Sequence, residues 1–564
     1  MPVVKVRLSR LSNSFPNISL NEIIDKLPYI GLDIEGIDKE DGIIRVEFNP
    51  NRPDFASENG ILRALDGLFE IETGLPIKGN VKESDYTINV DNTIGNIRPF
   101  IYGVVGKRDI SVDEFELSQL ISIQEVLHNG LGRKRKKSSI GLHDLNSIVF
   151  PLEYNTVSKS FSFIPLDKQD EFTIENILID MDVGKTYAHI INSFDRVPIL
   201  FDSKKNVLSF PPIINGNASK ITLDTKNLFI EVTSTSKKTA QDILSILCFE
   251  LFDMGFQIYC VHIESPSENI IKSPNLAPLK LMVTSEYINN ILGLDLSVET
   301  IIKCLGKSRC LGRVSDTGIE CMVPRYRIDV NNPVDISEEV ALGYGIYNFI
   351  PSAPSLYISG KKHVNSIIFD NIREILVGLG FIEIINTNMI SAKILYSFFI
   401  DTKNILDDIV SVADSKASDF EFLRNSIIPS MMMTLSKNIH EKYPQKLFEI
   451  GKTFKIQNSE IKEEWHLGVI IAHNNTDYSE IKSVLESLMK YCFNKNVKTP
   501  YYNMEYYIKG HSSRILLNGH GIGDMGETYP LVLENFRLRT MVTSFNINLN
   551  LLMNLLDIRK LKYI

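Results

Sequence analysis

The sequence predicts an α+β chain of several domains. Three observations carry this. Amphipathic helix patterns and alternating strand patterns are mixed along the chain. Capping signals, glycines and prolines punctuate them. The 564 residues correspond to about four domains of ordinary size. Boundaries are expected to give parts 1–85, 86–272, 273–352 and 353–564.

The first part reads as a small α/β unit. Ser19 followed by Glu22 is a capping-box pattern, with Ile23, Ile24 and Leu27 at helical spacing and Gly31 as the stop. Residues 42–48 alternate like a strand. Asn49-Pro50-Asn51-Arg52-Pro53-Asp54 is a rigid polar loop, and Ile61, Leu62 and Leu65 mark a second helix. In the second part, short strands and helices alternate. Residues 132–137 (GRKRKK) are strongly basic and read either as a solvated loop or as a contact for phosphates. Residues 211–216 form a turn, 228–233 a strand and about 240–252 a helix.

Ser273-Pro274-Asn275-Leu276-Ala277-Pro278 reads as a linker. A compact, mainly helical part follows, with helices near 285–292, after Ser297 and from Ile336. The last part has a helix over 363–379, a strand over 381–386, a helix after Pro429 and strands over 446–450 and 465–472. It ends on an apolar, helical stretch, 549–563.

Composition narrows the function classes. Apolar residues make up 44% and charged residues 23%, as in ordinary globular proteins. No apolar run approaches the roughly 18 residues of a membrane span, and the N-terminus lacks a signal-peptide pattern. A cytoplasmic protein without a membrane partner is expected. The net charge of −9 argues against a surface that coats nucleic acid, so RNA contact must come from local patches or a basic partner. The six cysteines form no CxxC pair and no His cluster accompanies them, so a zinc site is not expected.

Two constellations could carry chemistry. Asp329, Asp335, Glu338 and Glu339 place four carboxylates in one short segment, a donor set that suits Mg²⁺. Equally, Asp335 and Glu338 fit a helix cap and its dipole. The second constellation is Ser209 to Gly216 (SFPPIING) with Glu231 and Thr233 on the following strand. Glu231 occupies a place where an apolar strand favours Val or Ile, so it is either outward-facing or a pocket acceptor. His189 is a further candidate. The glycines Gly519, Gly521 and Gly523 lack a phosphate-loop pattern and read as a turn between strands.

Together these segments resemble the beta subunit of phenylalanyl-tRNA synthetase in its archaeal and eukaryotic-cytosolic form. The matching stretches, in family order, are VEFNPNRPD (46–54), SFPPIING (209–216) with LFIEVTSTS, VPRYRIDVNNPVDISEEVALGYG (323–345), and LRNSIIPSMM (423–432) with KLFEIGK and IGDMGETYPLVLENF (522–536). The resemblance implies an N-terminal domain, an editing domain, a small helical nucleic-acid-binding-like domain and a class II synthetase-like antiparallel sheet with helices that has lost catalysis. It implies a Mg²⁺ site at Asp329, Asp335, Glu338 and Glu339, shared with an alpha subunit in an alpha2-beta2 heterotetramer. ATP-dependent charging of tRNA(Phe) would then belong to alpha.

The class II-like motifs of the last part read Lys446-Leu447-Phe448-Glu449 and Gly523-Asp524-Met525-Gly526, and neither supplies an arginine for ATP phosphates. The resemblance assigns proofreading to this chain. Tyrosine is phenylalanine plus one hydroxyl, which an apolar pocket rejects only ~10²-fold, so a second hydrolytic sieve is useful. Glu231 is expected to accept the tyrosine hydroxyl, where the family pattern more often has Asp. Thr233 is expected to position substrate or water, Asn215 and the Gly216 amide to hold the ester carbonyl, and His189 to order water or the ribose. Two other readings stay open: a structural subunit with a degenerate pocket, and a stand-alone aminoacyl-tRNA hydrolase or RNA-binding scaffold.

Overall fold

The structure, a computed structural model, describes residues 2–76, 80–95, 97–265, 268–353, 359–399, 408–413, 415, 417 and 419–557. The chain divides into two units, Met1–Ala353 and Pro354–Ile564.

In the first unit, Val3–Arg7, Ile43–Phe48 and Leu32–Asp38 form a small antiparallel sheet in that order. The period-two pattern of the middle strand buries Ile44, Val46 and Phe48. Ser19 Oγ accepts the Glu22 amide at 3.3 Å and starts the helix Leu20–Lys26. The helix Glu58–Leu68 buries Ile61, Leu62 and Leu65.

The middle of this unit holds two larger sheets. One is antiparallel, in the order Gln257–Tyr259, Phe100–Lys107, Asn227–Ser234, Ser138–Asp144. Its strand Asn227–Ser234 is buried on both faces, so Leu228, Phe229 and Ile230 run on without alternation and the polar Glu231, Thr233 and Ser234 are buried too. The other is a mixed sheet of seven strands. Its edge hairpin, Val207–Phe210 with Ile214–Asn215, turns at 211–213, inside the turn expected over 211–216. The helix Lys237–Asp253 is buried almost throughout, as an apolar pattern all round a helix requires. One core runs from Val4 to Tyr326, so the first 85 residues and the middle of the unit share their interior.

The part expected to be helical differs. Its helices Ser285–Leu292, Val298–Lys307 and Pro333–Tyr344 pack with an antiparallel sheet, in the order Leu279–Val283, Gly318–Val323, Leu311–Ser315. It is therefore α+β. Ile319, Cys321 and Val323 are buried in its central strand, but polar neighbours such as Arg313, Ser315 and Glu320 mask the alternation in the sequence.

Buried charges join these pieces. Arg63 Nε donates to Asp253 at 2.8 Å, with both side chains nearly inaccessible. The Arg63 guanidinium also stacks 4.4 Å from the Tyr326 ring centre. Arg325 pairs with Asp242 at 2.5 Å, and its carbonyl accepts from Ser245 Oγ. Segment 324–329 is thus fastened to the buried helix. Glu250, on that helix, accepts from Ser57 Oγ and from Asn59 at 2.8 Å.

The second unit is a six-stranded sheet in the order Ile382–Glu383, Gln445–Gln457, Glu460–Ala472, Val542–Asn548, His520–Thr528, Tyr507–Leu517. Only the first pairing is parallel. Val364–Gly378, Tyr478–Phe493 and Leu549–Leu555 contribute to one core, and Ile428–Lys437 and Pro530–Asn535 to another. The strand expected over 381–386 is only two residues long. Asn518 and Gly519 both have positive φ, the geometry of a tight hairpin turn, so of the three glycines read as a turn only Gly519 is in it, while Gly521 and Gly523 pair within the strand His520–Thr528. Of the C-terminal helix expected over 549–563, residues 549–555 are helical, and 558–563 lie outside the described residues.

These buried charges set measurable stabilities. Arg63→Ala strands a buried carboxylate and is expected to lower the unfolding free energy by about 3–5 kcal/mol in denaturant titration, with Arg63→Met costing less. Burial pushes the Glu250 carboxyl up to about 7. Between the unfolded value of about 4.3 and 7, the native state holds a proton that the unfolded chain has lost. Stability from this group is therefore lost as pH rises through that window, by at most ~1.4 kcal/mol per pH unit. Glu250→Gln should remove that slope in unfolding titrations at pH 5, 6 and 7.

Candidate active site

The strand Asn227–Ser234 sets the site. Across its pairing with Ser138–Asp144, Phe229 faces His143, Glu231 faces Gly141 and Thr233 faces Ser139. Residues opposite one another share a face of the sheet, so these side chains form one surface. Glycine at 141 leaves Glu231 and His143 in place. A Cβ at that position would lie 2.5 Å from Glu231 Oε1 and 2.6 Å from His143 Nε2.

Glu231 is 2% exposed. Its Oε1 accepts a 2.8 Å hydrogen bond from Ser209 Oγ, while Oε2 is buried without a partner. His143 Nδ1 pairs with Ser219 Oγ at 2.8 Å. Its Nε2 is buried without a partner, 4.0 Å from Glu231 Oε1. A carboxylate oxygen left unpaired in this way costs about 1–3 kcal/mol or more. Beside it lies a cavity of about 480 Å³. Apolar residues, among them Leu117, Ile121, Leu142, Phe210, Pro211 and Ile213, form most of its wall. Asn215 lies on the same wall, its amide donating to Leu142 O at 3.3 Å.

The structure redistributes several expected roles. Thr233 is fully buried behind the cavity, its Oγ1 accepting from Arg98 Nε at 2.9 Å and pairing with Ser139 Oγ at 2.9 Å. It holds Arg98, whose guanidinium burial lowers to about 10, rather than facing substrate. The Gly216 amide donates to Leu208 O at 2.7 Å, so it is not free for an ester carbonyl. His189 is exposed on a short turn, Nδ1 against Thr186 O at 3.1 Å, and does not line the cavity. Ser209 and His143 are polar site residues to which the sequence assigned no role. Ser209 stood inside the SFPPIING stretch. His143 lay on a strand, SSIGLHD, whose polar composition hid it.

The four acids near residue 330 also sort themselves. Arg327 bonds Asp329 through Nε at 3.0 Å and Nη2 at 2.7 Å, and Glu339 through Nη1 at 3.0 Å. Burial alone would raise Asp329, but Arg327 outweighs it and holds the carboxyl below its usual range. Asp335 Oδ2 accepts the amides of Asn331 and Asn332, both at 2.8 Å, so the helix is capped at Asn332 with Asp335 at its third position, three residues earlier than the expected Asp335–Glu338 cap. Glu338 is raised by partial burial and then by the like charges of Glu339 and Asp329. Among the described residues, these acids do not bring three ligand atoms within 4.8 Å, whereas Glu83, Cys260 and His262 do. That trio was unexpected from the cysteine spacing. Its groups already bond one another and their neighbours, with Cys260 Sγ 3.5 Å from Glu83, His262 Nε2 3.0 Å from Ser84 O, and Lys272 on Glu83.

In the second unit, Arg424 is 1% exposed and sits 2.7 Å from Glu449, which is equally buried. Its Nε donates to Lys452 O at 2.9 Å. This arginine is consumed inside the fold. No helix among the described residues is long and apolar enough to cross a membrane.

Among known protein families, residues 111–244 match the B3/4 domain, 281–346 the tRNA synthetase B5 domain and 350–549 the phenylalanyl-tRNA synthetase beta chain CLM domain. The phenylalanine–tRNA ligase beta subunit of Methanocaldococcus jannaschii is 36% identical over 97% of this chain and 100% of its own length. That of Archaeoglobus fulgidus is 35% identical, covering 98% of each. The crystal structure of an N-terminal fragment of the Pyrococcus horikoshii phenylalanyl-tRNA synthetase beta subunit superposes with a TM-score of 0.58 at 32% identity, over 61% of this chain and 99% of the fragment. With near-complete coverage in both directions and three domain matches in order, the chain belongs to the phenylalanine–tRNA ligase beta-subunit family.

Proposed function

We propose that the cavity beside Glu231 hydrolyses tyrosine mistakenly esterified to tRNA(Phe). The observation that carries this reading is the unpartnered, buried Oε2 of Glu231 next to an apolar cavity. A tyrosine ring satisfies both features: the walls dehydrate the ring and the phenol donates to Oε2. Phenylalanine fills the same space but leaves the carboxylate unpaired, which is the preference a second sieve needs. Ser209 is a positioning residue that fixes the carboxylate through Oε1. Asn215, on the same wall, is suited to hold the ester end. Thr233 supports the wall through Arg98.

The chain acts as part of a phenylalanine–tRNA ligase. Its partners in this reading are tRNA(Phe) and a catalytic alpha subunit, in an alpha2-beta2 heterotetramer in the cytoplasm. The second unit serves as an inactive, class II-like packing partner for alpha. The burial of Arg424 against Glu449 supports this, because that guanidinium is not offered to a nucleotide. The acids of 329–339 fit Mg²⁺ by donor chemistry, being hard oxygen ligands. Glu338 is crowded by like charge and Asp335 is fixed at the helix start, so these two would hold the ion first. Asp329 and Glu339, clamped by Arg327, would complete its surroundings. The ion would supply charge compensation at an interface shared with alpha.

Tyrosyl-tRNA(Phe) hydrolysis by the reconstituted complex tests the pocket. Glu231→Ala should lower kcat/KM at least about tenfold, as expected for loss of a hydrogen bond to a charged group, with the loss specific to tyrosine over phenylalanine; unchanged selectivity sinks the acceptor role. Gly141→Ala should reproduce part of that loss by displacing Glu231. Glu338→Ala should weaken the Mg²⁺ dependence of assembly with alpha in sedimentation, and indifference to the substitution removes the ion from this segment.

A further inference from the structure

The basic stretch Gly132–Lys137 has an unusual backbone. Arg133, Lys134 and Arg135 have φ of +49°, +52° and +64°, three successive side-chain-bearing residues in the left-handed region. Such residues are sterically disfavoured and ordinarily occur singly rather than in succession. The conformation persists because the surroundings fix it. Arg98, itself buried, donates to Arg135 O at 3.2 Å and to Lys136 O at 3.4 Å. The Lys137 amide closes the loop on Gly132 O at 2.7 Å.

The loop is also tied to the cavity. Arg135 lines it, donating to Ile213 O at 3.0 Å and to Glu125 at 2.9 Å, with its guanidinium 4.7 Å from the Tyr187 ring centre. Arg135 is thereby neutralised and acts as the anchor. Arg133, Lys134 and Lys136 are exposed and have no acidic partner among the described residues. Three cations are thus held by a strained turn next to the wall that carries Ser209–Gly216, in a chain of net charge −9.

We infer that this turn binds phosphates of the single-stranded 3′ end of the RNA whose terminal ester enters the cavity. The inference rests on the editing reading above and adds the subsite that delivers the ester. Backbone strain is stored where pre-organisation serves binding. Here the turn presents Arg133, Lys134 and Lys136 without a loop-ordering cost on RNA binding. Contacts to phosphate are independent of base, so they position the strand and leave discrimination to Glu231.

The test uses the reconstituted alpha–beta complex carrying Arg133→Gln, Lys134→Gln and Lys136→Gln together. Deacylation of tyrosyl-tRNA(Phe) is followed under single turnover against enzyme concentration, at several salt concentrations. The half-saturating concentration should rise about tenfold, and the salt slope should fall by about 2, as loss of three single-strand phosphate contacts predicts. The same half-saturation and salt slope as the unsubstituted complex would overturn the proposal. Binding of tRNA(Phe) ending in amide-linked tyrosine is measured in parallel, because it needs no hydrolysis. If the unsubstituted complex does not deacylate, yet its binding still depends on the turn, the subsite stands and only the editing reading fails. Lys134→Glu gives a second, single-site variant, expected to weaken that binding more than Lys134→Gln; equal binding by both counts against the proposal.

Discussion

The first unit depends on Arg63. This guanidinium pairs with Asp253 at the end of a buried helix and stacks on Tyr326. Three stretches far apart in sequence meet there: the helix Glu58–Leu68, the helix Lys237–Asp253 and segment 324–329. A buried charge is tolerated only with its partner in place, so the geometry is close to all-or-none. The consequence reaches the site, since the helix Lys237–Asp253 directly follows the strand that carries Glu231. Fixing the helix fixes the position of that strand against Gly141 and His143.

The pocket then shows a deliberate incompleteness. Native interiors pair nearly all buried polar atoms. Here Glu231 Oε2 and His143 Nε2 stay unpaired, beside a cavity large enough for an aromatic amino acid. Ser209 holds one carboxylate oxygen and leaves the other, and glycine opposite Glu231 keeps the space clear. The polar network of Arg98, Thr233 and Ser139, of which Ser139 reaches the cavity wall, braces the sheet and, through Arg98, the basic turn.

Much of this was legible in the sequence, for identifiable reasons. Capping residues and apolar spacing marked the helices starting near Ser19, Ser285 and Ser297, because those signals are local. The Pro211–Gly216 turn and Glu231 stood out as polar or rigid features within apolar surroundings. What was hidden depends on pairing at long range. Ser138–Asp144 does not look like a buried strand until it lies beside Asn227–Ser234, so His143 and Gly141 went unseen. His189 had attractive chemistry but sits on the outside of a turn. Thr233 and the Gly216 amide were visible, but their hydrogen bonds are spent within the fold. The three-stranded sheet of 279–323 was masked by polar outward residues. The acids of 329–339 lie close together in sequence, yet Arg327, two residues from Asp329, takes two of them.

Recognition of the tyrosine hydroxyl by Glu231 is tested most directly by calorimetric binding of the amide-linked analogues tyrosyl-adenosine and phenylalanyl-adenosine, in the intact protein and in Glu231→Ala. A hydrogen bond to a charged group contributes about 1.5–3 kcal/mol, so the intact pocket should prefer the tyrosyl analogue by roughly 10- to 10²-fold. That preference should vanish in Glu231→Ala. Equal affinity for the two analogues in the intact protein, or a preference that survives the substitution, contradicts the account.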